Sequence, residues 1–269
     1  MNASPADTAV SEFVMSPNQG ERPQGACINT LLLHYTGLRE DKLNEWISDP
    51  FGEALRWLIN PQAEVSSHYI VDLDGRIVQL VPEARRAWHA GRGSWKDCND
   101  INSCSIGIEI VNTGHTGGLP AYPKHQIASV ITLCKDIVAR RGIAAERVLA
   151  HSDIAPARKA DPGEHFPWND LFHAGVGHWV QPVAITQGAR MTQGDCGESV
   201  SSLQMQLARY GYGIAITGSY DEPTLQCVRA FQRHFRPDCV DGIADISTQA
   251  TLDSLLASLP GQNCNTQTK

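Results

Sequence analysis

The chain has 269 residues, long for one average domain and compatible with two. A formal net charge of -7 carries none of the clustered basic footprint of a nucleic-acid partner. No apolar run approaches the roughly 18 to 20 residues of a membrane helix, which excludes an integral membrane protein, and 42% hydrophobic with 19% charged residues is an ordinary globular composition. Eight cysteines (Cys27, Cys98, Cys104, Cys134, Cys196, Cys227, Cys239 and Cys264) include no C-x-x-C pair, so no thiolate zinc knuckle or thioredoxin-like motif is indicated. Cys98 with Cys104 and Cys227 with Cys239 are close enough in sequence to close small loops, and the connectivity stays open.

Met1 to Gly20 is polar and lacks a basic segment followed by an apolar one, so no secretory signal is visible. Ile28 to Tyr35 is a short apolar run ending in polar residues, which predicts a buried strand that delivers His34 to the sheet end. Asp41 to Ile59, interrupted by Pro50, predicts two short helices. Ser67 to Val81 reads as a hairpin, because two β-prone runs meet at Asp74-Gly75, a favoured tight-turn dipeptide. Ala87 to Gly91 follows as an irregular segment in which Trp88 and His89 either line a cleft or cap the core.

Cys104 to Val111 alternates, with Cys104, Ile106, Ile108 and Ile110 on one face and Ser105, Gly107 and Glu109 on the other. Gly107 leaves room beside Glu109 for something to approach the strand closely. Pro123 to Arg141 carries the best helical stripe, Ile127, Val130, Ile131, Cys134, Ile137 and Val138, and Gly142 stops it; His125 lies off the stripe, towards solvent. Arg147 to Ala150 is a short strand leading into His151, as Leu31 to Leu33 leads into His34, so two histidines at strand ends are expected to converge.

His151 and Asp161 read as half of a zinc site, since a catalytic zinc takes three protein ligands from His nitrogen and carboxylate oxygen and leaves a fourth position open. Pro162 biases Asp161 towards an extended conformation, which predicts Lys159 and Asp161 projecting to the same side. Ala174 to Gly194 dissolves into Gly, Gln, Thr and Pro, as a linker does, and His165, His173 and His178 near it read as surface residues. Three helical stripes follow: Val200, Leu203, Leu207 and Tyr210, then Leu225, Val228, Phe231 and Phe235, then Leu252, Leu255 and Leu256. Asp221 with Pro223 is a helix start.

Taken together, Leu32-Leu33-His34-Tyr35-Thr36, Ser67-His68-Tyr69-Ile70-Val71, Trp88-His89-Ala90-Gly91, Ser105-Ile106-Gly107-Ile108-Glu109, Ala150-His151-Ser152-Asp153-Ile154 and Lys159-Ala160-Asp161-Pro162-Gly163 resemble the type-2 N-acetylmuramoyl-L-alanine amidases, the AmpD/AmiD-like zinc amidases of bacterial cell walls. The resemblance implies an α/β fold, a mixed β-sheet flanked by helices, in a domain of residues 1–180 with an N-terminal arm of about 1–24. It also implies one Zn2+ per chain on His34, His151 and Asp161, with Glu109 as catalytic acid/base and Lys159 as transition-state stabiliser. Tyr35, His68, Trp88 and His89 are the candidate substrate-binding residues.

Residues 195–260, after a linker at 181–194 and before a tail at 261–269, are similar to the three-helix all-α peptidoglycan-binding domain found beside many wall hydrolases. The similarity rests on Gly197 to Gln204, Leu207 to Tyr212, Gly218 to Asp221, Ala230 to Gln232 and Asp241 to Asp245; the usual Gly near the third helix is replaced by Ala244-Asp245. The implied partners are peptidoglycan or muropeptides, the implied location is the bacterial cell envelope or periplasm, and the implied reaction is hydrolysis of the amide between N-acetylmuramic acid and L-alanine. If the helical domain is a tether, deleting residues after about 185 weakens wall binding more than hydrolysis of a small muropeptide. The rival readings are a non-catalytic peptidoglycan-recognition protein on the same fold, whose signature is loss of a zinc ligand, and a zinc peptidase, for which the H-E-x-x-H arrangement is missing.

Overall fold

The computed structural model describes residues 6–39, 41, 43–96 and 98–259. The start of the N-terminal arm (1–5) and the expected tail (261–269), with Cys264, lie outside the described residues. The strands are β1 (Glu12–Phe13), β2 (Gln19–Glu21), β3 (Thr30–Tyr35), β4 (Tyr69–Val71), β5 (Ile77–Gln79), β6 (Arg85–Ala87), β7 (Ser105–Ile110) and β8 (Val148–Ala150). Six of them form one mixed sheet in the order β1-β5-β4-β7-β3-β8, while β2 and β6 pair beside it. The helices are α1 (Leu43–Ser48), α2 (Pro50–Leu58), α3 (Ile101–Cys104), α4 (Lys124–Arg141), α5 (His151–Ile154), α6 (Trp168–His173), α7 (Glu198–Tyr210), α8 (Glu222–Phe235) and α9 (Ile246–Ala257).

The central strands β3 and β7 are parallel and largely buried on both faces, as strands covered from both sides are. Alternation then divides the work. Leu31, Leu33, Ile106, Ile108 and Ile110 pack under α4, whereas Leu32 belongs to a second cluster on the opposite face. On that opposite side the parallel register sets His34 directly across from Glu109. The hairpin is antiparallel β4 and β5, with Gly75 at φ 85° in its turn, a left-handed position that glycine adopts without strain. Pro50 starts α2 with Asp49 accepting from the Gly52 amide, so the expected break between two helices is a cap. Gly142 closes α4 at φ 63°, its N–H bonded to the Val138 carbonyl, and His125 is exposed.

Two expectations are corrected. Cys104 closes the short helix α3 rather than opening the strand, and its side chain joins the cluster opposite the isoleucines. Its Sγ lies 2.7 Å from that of Cys98. His178 is half-buried, not a surface residue: its ring bridges the Tyr210 hydroxyl and the Ser258 Oγ, both at 2.8 Å, and ties the segment after α6 to α7 and α9. His165 and His173 are exposed.

The N-terminal arm is stitched to the body by β1 and β2 and by Arg22, whose guanidinium donates to the carbonyls of Glu83, Asn102, Ser103 and Ser105. Helices α7, α8 and α9 do not hang free. Leu32, Trp95, Ile101, Leu149 and Ile154 from the sheet region share one continuous apolar cluster with Leu207, Val228, Phe231 and Leu252. Trp95 is fully buried and meets the rings of Tyr210 and Tyr212 edge-on at 5.8 and 4.9 Å between centroids. At the start of α9, Asp245 accepts from the Thr248 amide at 2.7 Å, and the preceding Ala244 is buried against Met191.

Candidate active site

His34 occupies the penultimate position of β3, and β8 ends at Ala150 so that His151 is the first residue of the one-turn helix α5. The chain then turns back, and the Ser152 amide donates to the Asp161 carbonyl at 3.1 Å, which brings the Asp161 side chain under the two imidazoles. The Nδ1 atoms of His34 and His151 are 2.8 Å apart, and each lies 3.0 Å from Asp161 Oδ2. All three residues are buried. Among the described residues this is the group whose donor atoms converge tightly enough to hold a metal ion.

The surroundings assign the protons. His151 Nε2 faces the Ala90 carbonyl at 2.9 Å, so it carries a hydrogen, and in the neutral imidazole that binds a metal Nδ1 is the bare nitrogen. Ser105 Oγ donates to the Ile101 carbonyl and therefore accepts from His89 Nε2 at 3.2 Å, which leaves His89 Nδ1 bare. That atom accepts from His34 Nε2 at 3.0 Å, so His34 Nδ1 is bare as well. Burial, with the neighbouring His151 ring, holds the His34 pKa down to about 4, and burial with the other histidines holds His89 well below its usual value, so both rings are neutral. Two bare nitrogens and a carboxylate oxygen thus point at one another without a proton between them. A cation fits that arrangement, and two imidazoles with one carboxylate are donors that suit zinc.

Around this cluster lies a cavity of about 210 Å3, lined also by Glu109 and Lys159. Glu109 is half-buried overall, but its Oε2 is sealed from solvent without a hydrogen-bond partner among the described residues. Burial first, and then the charge of Asp161, push its carboxyl well above the ordinary glutamate range, while Lys159 pulls the other way. A turn at residues 156–158 leads into Lys159, whose amide is bonded to the Ala155 carbonyl, residues 159–160 carry no regular element, and both Lys159 and Asp161 reach the same cavity.

What approaches β7 at Gly107 is His89: a Cβ built there would lie 2.5 Å from its Cγ and Nδ1. Gly107→Ala is therefore expected to push His89 off His34 and to lower metal affinity and turnover by roughly tenfold to a hundredfold, as losses of outer-sphere partners do. Metal titration beside a turnover assay checks it.

Residues 24–164 match the N-acetylmuramoyl-L-alanine amidase family, and residues 196–252 match a peptidoglycan binding domain. Along 241 residues the chain is 38% identical to N-acetylmuramoyl-L-alanine amidase AmiD of Escherichia coli K12, covering 85% of this chain and 82% of that protein. The chain belongs to the N-acetylmuramoyl-L-alanine amidase family. Its amidase region is also 32% identical over 175 residues to 1,6-anhydro-N-acetylmuramyl-L-alanine amidase AmpD of Enterobacter cloacae, covering 61% of this chain and 89% of that relative. In three dimensions the amidase is similar to E. coli AmiD in complex with the substrate anhydro-N-acetylmuramic acid-L-Ala-D-γ-Glu-L-Lys, with TM-score 0.70 and 38% identity over 88% of this chain and 92% of that one. It is similar too to AmpDh3 of Pseudomonas aeruginosa in complex with anhydromuramic pentapeptide, with TM-score 0.66 and 28% identity over 94% and 97% of the two chains.

Within the amidase cavity, Tyr35, Trp88 and His89 are on the wall, Tyr35 with its hydroxyl 3.0 Å from His115 Nδ1. His89 is 9% exposed and turned onto His34 and Ser105, which makes it a support for a candidate ligand more than a surface for substrate. His68 lies behind the cavity: it has no exposure and is not among the lining residues. Its Nδ1 accepts from the Gly107 amide at 3.0 Å, its Nε2 faces the Arg85 carbonyl at 3.2 Å, and burial beside Arg22 holds its pKa down to about 3. It is a neutral histidine that braces the strand next to Glu109. Sequence reasoning missed Trp57, Ala54 and Leu58 of α2 as cavity wall, and Asn102, whose Oδ1 accepts from the His89 and Ala90 amides. A Trp off the buried stripe of α2 was the available signal for the first; nothing local marked the second.

Proposed function

We propose that the protein is a zinc-dependent N-acetylmuramoyl-L-alanine amidase acting at the bacterial cell envelope on peptidoglycan or its fragments, with His34, His151 and Asp161 holding one Zn2+ per chain. The observation that carries this reading is the trio of bare, buried donor atoms within 3.0 Å of one another. Zinc bound there supplies the Lewis acidity that makes water a competent nucleophile near neutral pH and polarises an amide carbonyl.

The chain's own residues do the rest. Glu109 takes the proton from the attacking water, for which a raised pKa makes its carboxylate a stronger base, and passes one to the leaving nitrogen of L-alanine. Lys159 offsets the charge that grows on the carbonyl oxygen of the lactyl amide, a service worth roughly a hundredfold or more in rate when one such donor is lost. Trp57 and Trp88, half-buried on the wall, offer apolar surface to the substrate and limit access of bulk water. Residues 195–260 hold the enzyme on the polymer and so raise the effective concentration of its substrate. All five chemistry-bearing positions are filled, which disfavours a recognition protein that has lost catalysis.

Chelation followed by return of zinc tests the proposal, with mass spectrometry of products from intact sacculi and from soluble anhydro-muropeptides. The expected result is loss of activity by at least a hundredfold on chelation, recovery with zinc, and cleavage between the muramic acid and L-alanine. Activity that never depends on metal, or cleavage at another bond, overturns it.

A further inference from the structure

We propose that His234 and Tyr212, from the C-terminal helical region, are positioning residues for the metal centre, acting through Asp153 on the turn that carries His151. The one-turn helix α5 cannot hold itself: a single helical turn fixes several backbone dihedrals for one hydrogen bond and is unfavourable alone. Asp153 holds it. This side chain is fully buried, and its Oδ2 accepts from the Ala150 amide at 2.8 Å, which closes the turn back onto the end of β8. Among the described residues, its other two donors both come from the helical region. His234 Nδ1 of α8 donates to Oδ2 at 2.7 Å, and the Tyr212 hydroxyl, just after α7, donates to Oδ1 at 2.8 Å.

Each donor is itself fixed. The Trp168 ring stacks on His234 at 3.7 Å between centroids, and Tyr212 packs edge-on against buried Trp95. A carboxylate with no water is tolerated where hydrogen bonds compensate it, so removing one donor drives Asp153 to seek another partner and shifts the turn. Two candidate ligands move with that turn. His151 opens it, and the Ser152 amide between His151 and Asp153 is bonded to the Asp161 carbonyl. The helical region thereby sets the spacing of His151 and Asp161 from behind, although His234 and Tyr212 touch neither the metal position nor the cavity.

This assignment rests on the ligand role of His151 and Asp161, and the test separates the two. It uses the full-length protein and three variants. His234→Leu removes the donor and keeps comparable bulk, His234→Asn places an amide donor near the position of Nδ1, and Tyr212→Phe removes the hydroxyl alone. Zinc affinity is measured by competition with a chromophoric chelator, the visible spectrum of the cobalt-loaded protein reports ligand geometry, and kcat and KM are measured on a soluble muropeptide.

The expected result is that His234→Leu weakens zinc binding at least tenfold, alters the cobalt spectrum and lowers kcat more than it changes KM. His234→Asn restores all three to within about threefold of wild type, and Tyr212→Phe shifts them in the same direction by less. Wild-type zinc affinity and cobalt spectrum in folded His234→Leu, or in Tyr212→Phe where the leucine variant does not fold, overturn the proposal, as does a loss in His234→Asn equal to that in His234→Leu. A wild-type chain that takes up no metal overturns the ligand reading and this proposal with it; normal metal binding in wild type and variants alike overturns this proposal alone.

Discussion

Glu109→Gln is expected to bind zinc within a few fold of wild type and to lose between a hundredfold and ten-thousandfold in turnover, the usual range for a general acid/base. The separation follows from where Glu109 sits. Its backbone belongs to the β3–β7 ladder, which the substitution leaves intact, so His34 stays opposite it in register. Its side chain holds none of the three converging donors: Oε2 has no hydrogen-bond partner among the described residues. An unpartnered carboxyl oxygen in a buried position is costly, and the cost is understandable where a proton must be carried. Glutamine keeps the shape and the polarity and removes the titration. Metal content by elemental analysis, beside turnover on a soluble muropeptide, checks both halves; near-normal turnover removes Glu109 from the role.

Much of the site was legible because strands announce which side each residue faces. The alternation of Ser105, Gly107 and Glu109 against three isoleucines needs no tertiary knowledge, and the Leu31 to Leu33 and Val148 to Ala150 runs each end at a histidine because apolar strands stop where the sheet meets solvent or a ligand. Other orientations depend on contacts across the fold that no local pattern announces. His68 and His89 both precede small or apolar residues in similar short motifs, yet one ring turns inwards onto the Gly107 amide and the other onto His34, and the choice is made by the neighbouring strand. His178 looked like linker because its partners, Tyr210 and Ser258, lie 32 and 80 residues ahead. Asp153 carried no signal of its own, since its partner His234 is 81 residues away and a lone aspartate after a histidine reads as polar surface.

Removal of residues 186–269 is expected to abolish wall binding and also to cut hydrolysis of a small soluble muropeptide by at least tenfold, which revises the picture of a detachable tether. The apolar cluster is the reason. Trp95, Leu32, Leu149 and Ile154 have almost no exposure and share one apolar cluster with residues of α7, α8 and α9. Uncovering a large apolar side chain costs about 1.5–3 kcal/mol, so losing the cover of even three is on the order of 5 kcal/mol. That is comparable to the whole net stability of a domain, about 5–15 kcal/mol. The truncation also strips Asp153 of His234 and Tyr212. An amidase fold does not require such a partner in general, since the AmpD relative from Enterobacter cloacae aligns over 89% of its own length with only 61% of this chain. What ties the two regions together here is the composition of this particular face: apolar side chains and a buried carboxylate where a free-standing domain needs a polar surface. A truncated chain that melts like the full-length protein and turns over the soluble muropeptide within a few fold of it refutes this reading. Loss on both substrates with a lowered melting temperature is the outcome that a shared core demands.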